Sequence, residues 1–424
     1  MEKKYQKILV LGSTFNDYTA GGITLANMFK YWPKECIANA SSDIDIEACE
    51  RVRPCISYYH FNDSNIKNKA KKASISKQGR KSAITNIKKQ TIAFLAKMYL
   101  RIGYKDLISD NRLTPEFQKF VKEFNPDIIF DPIGSLRELK FIEKIHSKFK
   151  TPIAIHVWDD WPEHPGANER FFNSIWKKTY RKAFKRLLKI AAYRYSICEK
   201  MSVEYKKRYN EEFYPIHNPV DILIWDAVPN KEFDSKNVSI LYFGKISKAT
   251  HSAIFEMCKA VDFLNENGKS INFDIYSHHC TEDVRRKVEK HKGCNIYPSN
   301  LSKEEVIKKM KEASILFLPL SFDKKSAEYS RLSMLTKISE YLVSKTPILL
   351  YCPQDAAVSE YLRQHNAAFD SERGTDNIVE TLKEIIENNN ERELIILNAY
   401  KLAYEKHKIE DVCERFRASF FSNK

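Results

Sequence analysis

The chain has 424 residues, 43% of them hydrophobic and 29% charged, which fits globular domains and excludes a disordered chain. At roughly 100–200 residues per domain, that length predicts two domains or three. The best apolar runs, Ser314–Leu320 and Pro347–Tyr351, fall far short of the ~20 residues of a membrane span, and the net charge of +15 calls for an acidic partner: nucleic acid, anionic lipid or a phosphorylated small molecule.

The N-terminus reads MEKKYQKILVLG, with an apolar core too short for a signal peptide, so a cytosolic location is expected. Lys7–Leu11 reads as a strand that ends at Gly12, with a helical pattern from about Gly22. The section Asp43–Ser64 gives no clear pattern. Asn65–Lys105 holds twelve basic residues and no acidic one, and its second half, Thr91–Ile102, has helical spacing. Thr114–Phe124 reads as a helix with Thr114 as N-cap and Pro115 first. Strand Asp127–Phe130, helix Leu136–Phe149 and strand Pro152–Val157 follow, the last ending in Trp158-Asp159-Asp160-Trp161-Pro162. A basic helix, Asn168–Ile190, precedes strand Tyr193–Cys198, and Tyr214–Asp221 closes the half.

Ala227–Asn237 is polar and reads as a linker. Strands are then expected at Val238–Phe243, Asn272–Tyr276, Asn295–Tyr297, Ile315–Leu318 and Pro347–Leu350. Helices are expected at Thr250–Asn265, Thr281–Lys290, Lys303–Glu312, Met334–Val343 and Ala357–Arg363. Strands alternating with helices of this length form βαβ units and parallel sheets. The fold class is therefore α/β, with two doubly wound Rossmann-like domains facing a cleft: 1–225 and 226–405, the first completed by a C-terminal helix within 406–424.

In open parallel sheets ligands bind beyond the carboxyl ends of the strands, so those loops carry the chemistry. In Phe243-Gly244-Lys245-Ile246-Ser247-Lys248, a glycine lets the backbone turn tightly or approach a ligand, and two ammonium groups suit a diphosphate. In Ser333-Met334-Leu335-Thr336-Lys337-Ile338-Ser339-Glu340, Ser333 is the expected N-cap, and the first-turn amides form an anion site. Glu340 lies about 6 Å further along the axis, where a carboxylate accepts from two ribose hydroxyls or simply faces water. Asp159 or Asp160 would position or deprotonate an acceptor hydroxyl; the alternative is a helix cap or an ion-pair partner. His278-His279 follows another strand and reads first as a solvated loop. Asp43-Ile44-Asp45 imitates a metal-binding Asp-x-Asp, but its surroundings lack the matching order of elements. The nine cysteines include no Cys-x-x-Cys pair and are odd in number, which argues against a zinc site and a disulfide framework, so no metal is expected.

Taken together, strand-Gly-Lys, Thr-Lys-x-x-Glu-Tyr-Leu and Thr346-Pro347-Ile348-Leu349 resemble the donor half of retaining GT-B glycosyltransferases of the group-1 (family 4-like) type. Asn218-Pro219-Val220-Asp221, the paired Gly21-Gly22 and the Trp158–Pro162 loop resemble other parts of that family, the loop its capsule and lipopolysaccharide members. The resemblance spans Gly21 to about Leu362. It implies a nucleoside-diphosphate-sugar donor without a separate cofactor, and a glycan or lipid-linked acceptor in cell-surface polysaccharide synthesis. Lys245 and Lys248 would bind the diphosphate, Thr336 and Lys337 would touch phosphate, Glu340 would hold the ribose, and Tyr297-Pro298 would lie beside the base. Gly21 and Gly22 would offer amides to the phosphates. The chain departs from the family in two places: Leu332 stands where a second Glu is common, and Trp158 where a His is usual, with His156 the same-face substitute. The departures leave open a catalytically silent relative that binds a nucleotide or a partner. The basic stretches, Asn65–Lys105 and Trp176–Lys189, would hold the protein at an anionic membrane. Charge alone points to nucleic acid, and no nucleic-acid-binding motif accompanies it.

Overall fold

The computed structural model describes residues 4–61, 98, 101–103, 106, 112–165, 170–278 and 280–421. Most of the basic stretch Asn65–Lys105, and His279, lie outside the described residues. The chain divides into two compact units.

The first unit holds Met1–Ser196, Ser202–Tyr214 and Phe420–Lys424. Its sheet is built from β1 (Ile8–Leu11), β2 (Ile37–Ser41), β3 (Ser57–His60), β4 (Ile128–Asp131), β5 (Ile153–Val157), β6 (Ala191–Ser196) and β7 (Tyr214–Pro215), in the order β3-β2-β1-β4-β5-β6-β7. β1 pairs in parallel with both β2 and β4, so the strand order reverses there. All residues of β1, β2, β4 and β5 are buried, as expected of strands covered by helices on both faces. The chain's end returns to this unit through Phe420, whose ring packs on Tyr193 and Trp32.

The second unit holds Ile197–Met201 and Pro215–Ser419. Here β8 (Val238–Phe243), β9 (Ile271–Tyr276), β10 (Cys294–Tyr297), β11 (Ile315–Pro319), β12 (Ile348–Tyr351) and β13 (Phe369–Asp370) lie in the order β10-β9-β8-β11-β12-β13. Every one of these pairings is parallel. The reversal again falls beside the first strand of the unit, between β8 and β11. Helix His251–Glu266 covers the sheet with Ile254, Met257, Val261 and Leu264, which join the core of Phe273, Ile275 and Phe317.

The doubly wound α/β architecture is present in both halves. Four details differ from the sequence reading. The units part at Tyr214/Pro215 rather than near 225, and the helix Ile409–Ser419 stays with the second unit, leaving only Phe420 onward to the first. Helix Asn168–Ile190 shortens to Asn173–Leu188, because Phe172 adopts a left-handed backbone, φ 55°, at its start. The unpatterned section contains β3 and the helix Ile46–Val52. Helix Met334–Val343 shortens to Ile338–Val343: Ser333 N–H turns back to Ser330 O at 3.1 Å, and Arg331 O is taken by the Ala357 amide.

Candidate functional site

The carboxyl edge of the second sheet gathers most of the predicted donor residues. Phe243, Tyr276 and Tyr297 are the last residues of β8, β9 and β10 and are in register. Their rings stack in a row, Phe243 on Tyr276 at 4.7 Å and Tyr276 on Tyr297 at 5.1 Å. Tyr297 ends the row with 38% of its surface exposed, so an aromatic platform faces outward where a planar base can stack. Burial raises the Tyr297 phenol above its ordinary value, so it stays neutral.

Beside this row lies the loop after β8. Gly244 is required because the Tyr242 ring folds back over it: a Cβ would sit 2.4 Å from the Tyr242 hydroxyl oxygen. That hydroxyl donates to Lys245 O at 3.2 Å. Thr250 completes the loop by accepting from Ser247 N–H at 3.0 Å and donating to Lys245 O at 3.1 Å. Sequence reasoning took Thr250 only as the start of a helix; its hydroxyl instead fixes the curvature of the lysine loop. Lys245 and Lys248 are both exposed on that loop.

Lys337 and Glu340 come from the next segment. The Ser333 cap is corrected here: Ser333–Leu335 is irregular, Thr336–Lys337 forms a turn, and the helix is only Ile338–Val343. The anion-binding chance moves into the turn. Among the described residues, the amides of Met334, Leu335, Thr336 and Lys337 donate to no protein acceptor. Lys337 Nζ lies 2.7 Å from Glu340 Oε2 and 5.9 Å from the centre of the Phe243 ring. Phe243 N–H donates to the Tyr341 hydroxyl at 3.3 Å, which ties this helix to the end of β8. The fold thus brings Lys337, Glu340, Phe243, Tyr276 and Tyr297 together, with Lys245 two residues beyond Phe243. Leu332 is buried, so its own side chain offers a ligand no polar contact.

The carboxyl edge of the first sheet carries the remaining predicted residues. Gly21 and Gly22 lie in the helix Ala20–Met28, capped by Thr19. A Cβ on Gly21 would meet Trp158 Cζ3 at 2.9 Å, and one on Gly22 would meet the Asn16 side chain at 2.3 Å. Close side-chain approach accounts for both glycines. The Gly22 amide donates to Thr19 Oγ1 at 3.0 Å, so it is not available to a phosphate.

His156 and Asp160 are corrected. His156 on β5 is fully buried, and its Nδ1 accepts from Trp158 Nε1 at 3.0 Å. An indole nitrogen only donates, so Nδ1 carries no proton and the imidazole props the Trp158 ring. Two residues along a strand share a face, but only the residue past the strand end emerges. Asp160 is 3% exposed; both its oxygens accept from Arg208, at 2.9 and 2.8 Å, and Oδ1 also accepts from Tyr205. The structural alternative holds for Asp160, which anchors its loop. Asp159, beside it, is half-buried. Asp45 of the Asp-x-Asp look-alike caps the helix Ile46–Val52. Among the described residues no three His, Cys, Asp or Glu side chains gather as metal ligands.

Solved structures with this arrangement decide the fold. HepE of Anabaena, in complex with UDP-glucose, superposes with a TM-score of 0.65 over 99% of this chain and 100% of that one, at 12% identity. Sucrose-phosphate synthase from Thermosynechococcus elongatus gives 0.65 over 98% of each chain at 8% identity. The chain has the GT-B fold. The trehalose-6-phosphate synthase OtsA aligns with a TM-score of 0.63 and 10% identity over 98% of this chain and 99% of that one. No protein-family model matches the sequence, and no curated protein matches it.

Proposed function

We propose that this GT-B protein is a glycosyltransferase that moves a hexose from a nucleoside-diphosphate sugar to a glycan or lipid-linked acceptor, with retention at the anomeric carbon, on the cytoplasmic side of a membrane during surface-polysaccharide synthesis. One observation carries the donor half: a lysine, a carboxylate, a turn of free amides and an aromatic platform meet at the edge of the second sheet. A nucleoside diphosphate presents three matching chemistries, namely anionic oxygens, vicinal ribose hydroxyls and a flat base. HepE binds UDP-glucose, so uridine is the first base to test.

In this reading Lys245, Lys248, Lys337 and the amides of Thr336 and Lys337 hold the diphosphate. They oppose the charge that grows on it as the glycosidic bond breaks, and such preorganised charge is commonly the largest catalytic contribution. Glu340 takes the ribose hydroxyls. The base stacks on Tyr297. Asp159 orients or deprotonates the acceptor hydroxyl, Asp160 keeps that loop in place, and Trp158 and Gly21 shape the wall beside it. No metal or separate cofactor is required by this assignment.

Thermal stabilisation by UDP, GDP, ADP and CMP, with wild type and Glu340→Ala, tests the donor site. Ligand at 100 times its dissociation constant stabilises the folded state by about 2.7 kcal/mol. A shift with one nucleoside diphosphate, lost in the variant, is expected. No shift with any of them removes the donor assignment. A shift without sugar-nucleotide turnover favours the silent relative, for which Leu332 and Trp158 are the specific observations.

A further inference from the structure

The helix Asn173–Leu188 has one face in the core, through Trp176, Tyr180, Phe184 and Leu187. Its opposite face is a single stripe: Ile175, Lys178, Lys182, Lys185 and Lys189 recur at helical spacing, and all are exposed. Among the described residues no carboxylate lies within ion-pair distance of the four lysines. The arginines of the same helix behave differently, since Arg181 pairs with Glu163 and Arg186 with Glu143. The described residues therefore leave the charge on the stripe without a counter-charge. The Arg186–Glu143 pair joins this helix to Leu136–Phe149, where Lys144 and Lys148 extend the basic surface along an open groove.

The amino end of the stripe is apolar. Phe172 is 78% exposed and Ile175 is 64% exposed, with Phe171 next to them. Phe172 has φ 55°, a left-handed backbone that is rare for a bulky residue. Strain of this kind persists where the surrounding structure imposes it, and here it holds a phenyl ring in water. An exposed ring and an exposed aliphatic side chain, continued by unpaired lysines, match the chemistry of a bilayer surface: acyl chains for the first, anionic headgroups for the second. Ile175 offers no stacking face to a base, and nucleic-acid binding along the phosphate backbone gives an apolar wedge of this kind no partner.

We propose that the stripe Phe172–Lys189 is a membrane-docking surface, in which Phe172 and Ile175 enter the interface of an anionic bilayer while Lys178, Lys182, Lys185 and Lys189 lie against its headgroups. This goes further than general attraction of a basic protein, because it assigns separate roles to a wedge and a lysine row. It does not depend on the reaction assigned to the donor site.

Flotation with vesicles of phosphatidylcholine alone, or with added phosphatidylglycerol, tests it. Wild type floats with the anionic vesicles only, and less so as salt rises. Replacing Lys178 and Lys182 with alanine weakens binding about fivefold per lysine. Phe172→Gly weakens binding about tenfold, from the loss of a buried ring, yet it relieves the left-handed backbone and keeps or raises Tm. That pairing separates docking from simple unfolding. Phe172→Trp shows a blue-shifted emission with anionic vesicles. Equal flotation with both vesicle types, flotation unaffected by Phe172→Gly, or no flotation together with tight, salt-sensitive binding of duplex DNA through the same lysines would overturn the proposal. Glu340→Ala floats like wild type, so a failure here leaves the nucleotide experiment intact, and the reverse.

Discussion

Asp159 and Asp160 are neighbours of the same type with opposite expected behaviour. Asp160→Ala leaves the buried Tyr205 hydroxyl without its acceptor and Arg208 with Glu204 as its remaining hydrogen-bonded carboxylate. A buried polar group left unsatisfied costs about 1–3 kcal/mol, so a lower unfolding midpoint in urea is expected. Asp159→Asn keeps the midpoint and lowers kcat by about 10²–10⁴ if it serves the acceptor hydroxyl. Equal loss of stability in both variants would contradict the division. The glycine pair divides similarly. Gly22→Ala drives a methyl into Asn16, whose Oδ1 accepts from the Thr19 amide at 2.7 Å and the Thr19 hydroxyl at 2.8 Å, so the loop before the helix must move. Gly21→Ala meets only the edge of the Trp158 ring. Overpacking costs about 1–3 kcal/mol, and a larger fall in Tm is expected for Gly22→Ala than for Gly21→Ala.

At the scale of elements, the second unit was the more readable half. Strands buried on both faces give unbroken apolar runs such as Ile315–Pro319, and three strands of this unit are followed by helices capped by Thr281, Ser302 and Asp323. Ser302 forms a full capping box with Glu305, and Ser302→Ala is expected to cost about 1 kcal/mol in urea unfolding. The loop Gly244–Lys248 was also legible as a strand-end loop, because glycine and lysine after an apolar run are local signals. The Ser333 cap was not. Met334 and Leu335 extend the apolar period of Ile338 and Leu342, but the carbonyl of Arg331 binds the Ala357 amide, a tertiary contact that periodicity does not record. The partners of Asp160 lie 45 and 48 residues downstream, so an anchoring aspartate and its half-buried neighbour read alike in the sequence. His156 misled for a related reason: alternation gives the face of a residue and not how deep in the sheet it sits.

At the scale of the molecule, the second unit contains a buried histidine cluster that ties stability to pH. His217 Nε2 lies 3.0 Å from Glu199 Oε2, while His407 Nδ1 donates to Asn218 O at 2.9 Å and Nε2 of the neutral ring accepts from the Tyr361 hydroxyl at 2.9 Å. Burial, helped by the charge of His217, pushes the His407 imidazole down from 6.5 to about 3. Burial alone would raise Glu199, but the hydrogen bond and charge of His217 outweigh it and hold the carboxyl at about 2 rather than 4.5. Between pH 6.5 and about 3 the unfolded chain binds a proton at position 407 that the folded chain refuses, so stability falls as pH falls through that window. Glu199 adds a loss in the same direction, from 4.5 down to about 2. Urea unfolding across this range is expected to show a slope of up to about 1.4 kcal/mol per pH unit from one proton, flattened in His407→Gln.

The Lys337–Glu340 pair has a consequence for how a donor would enter. The two groups form an ion pair, although the buried Glu340 Oε2 makes no hydrogen bond, so the pair acts as a latch on the lysine rather than leaving an open positive field. On the proposed reading, phosphate draws the ammonium away only if ribose hydroxyls arrive to take the released carboxylate, and each exchange makes the other possible. A nucleoside or pyrophosphate alone would open half of the latch and leave the other charge without its mate. The joined ligand should therefore bind far more tightly than its fragments suggest, and the site should reject the free phosphate and free nucleosides that crowd around it.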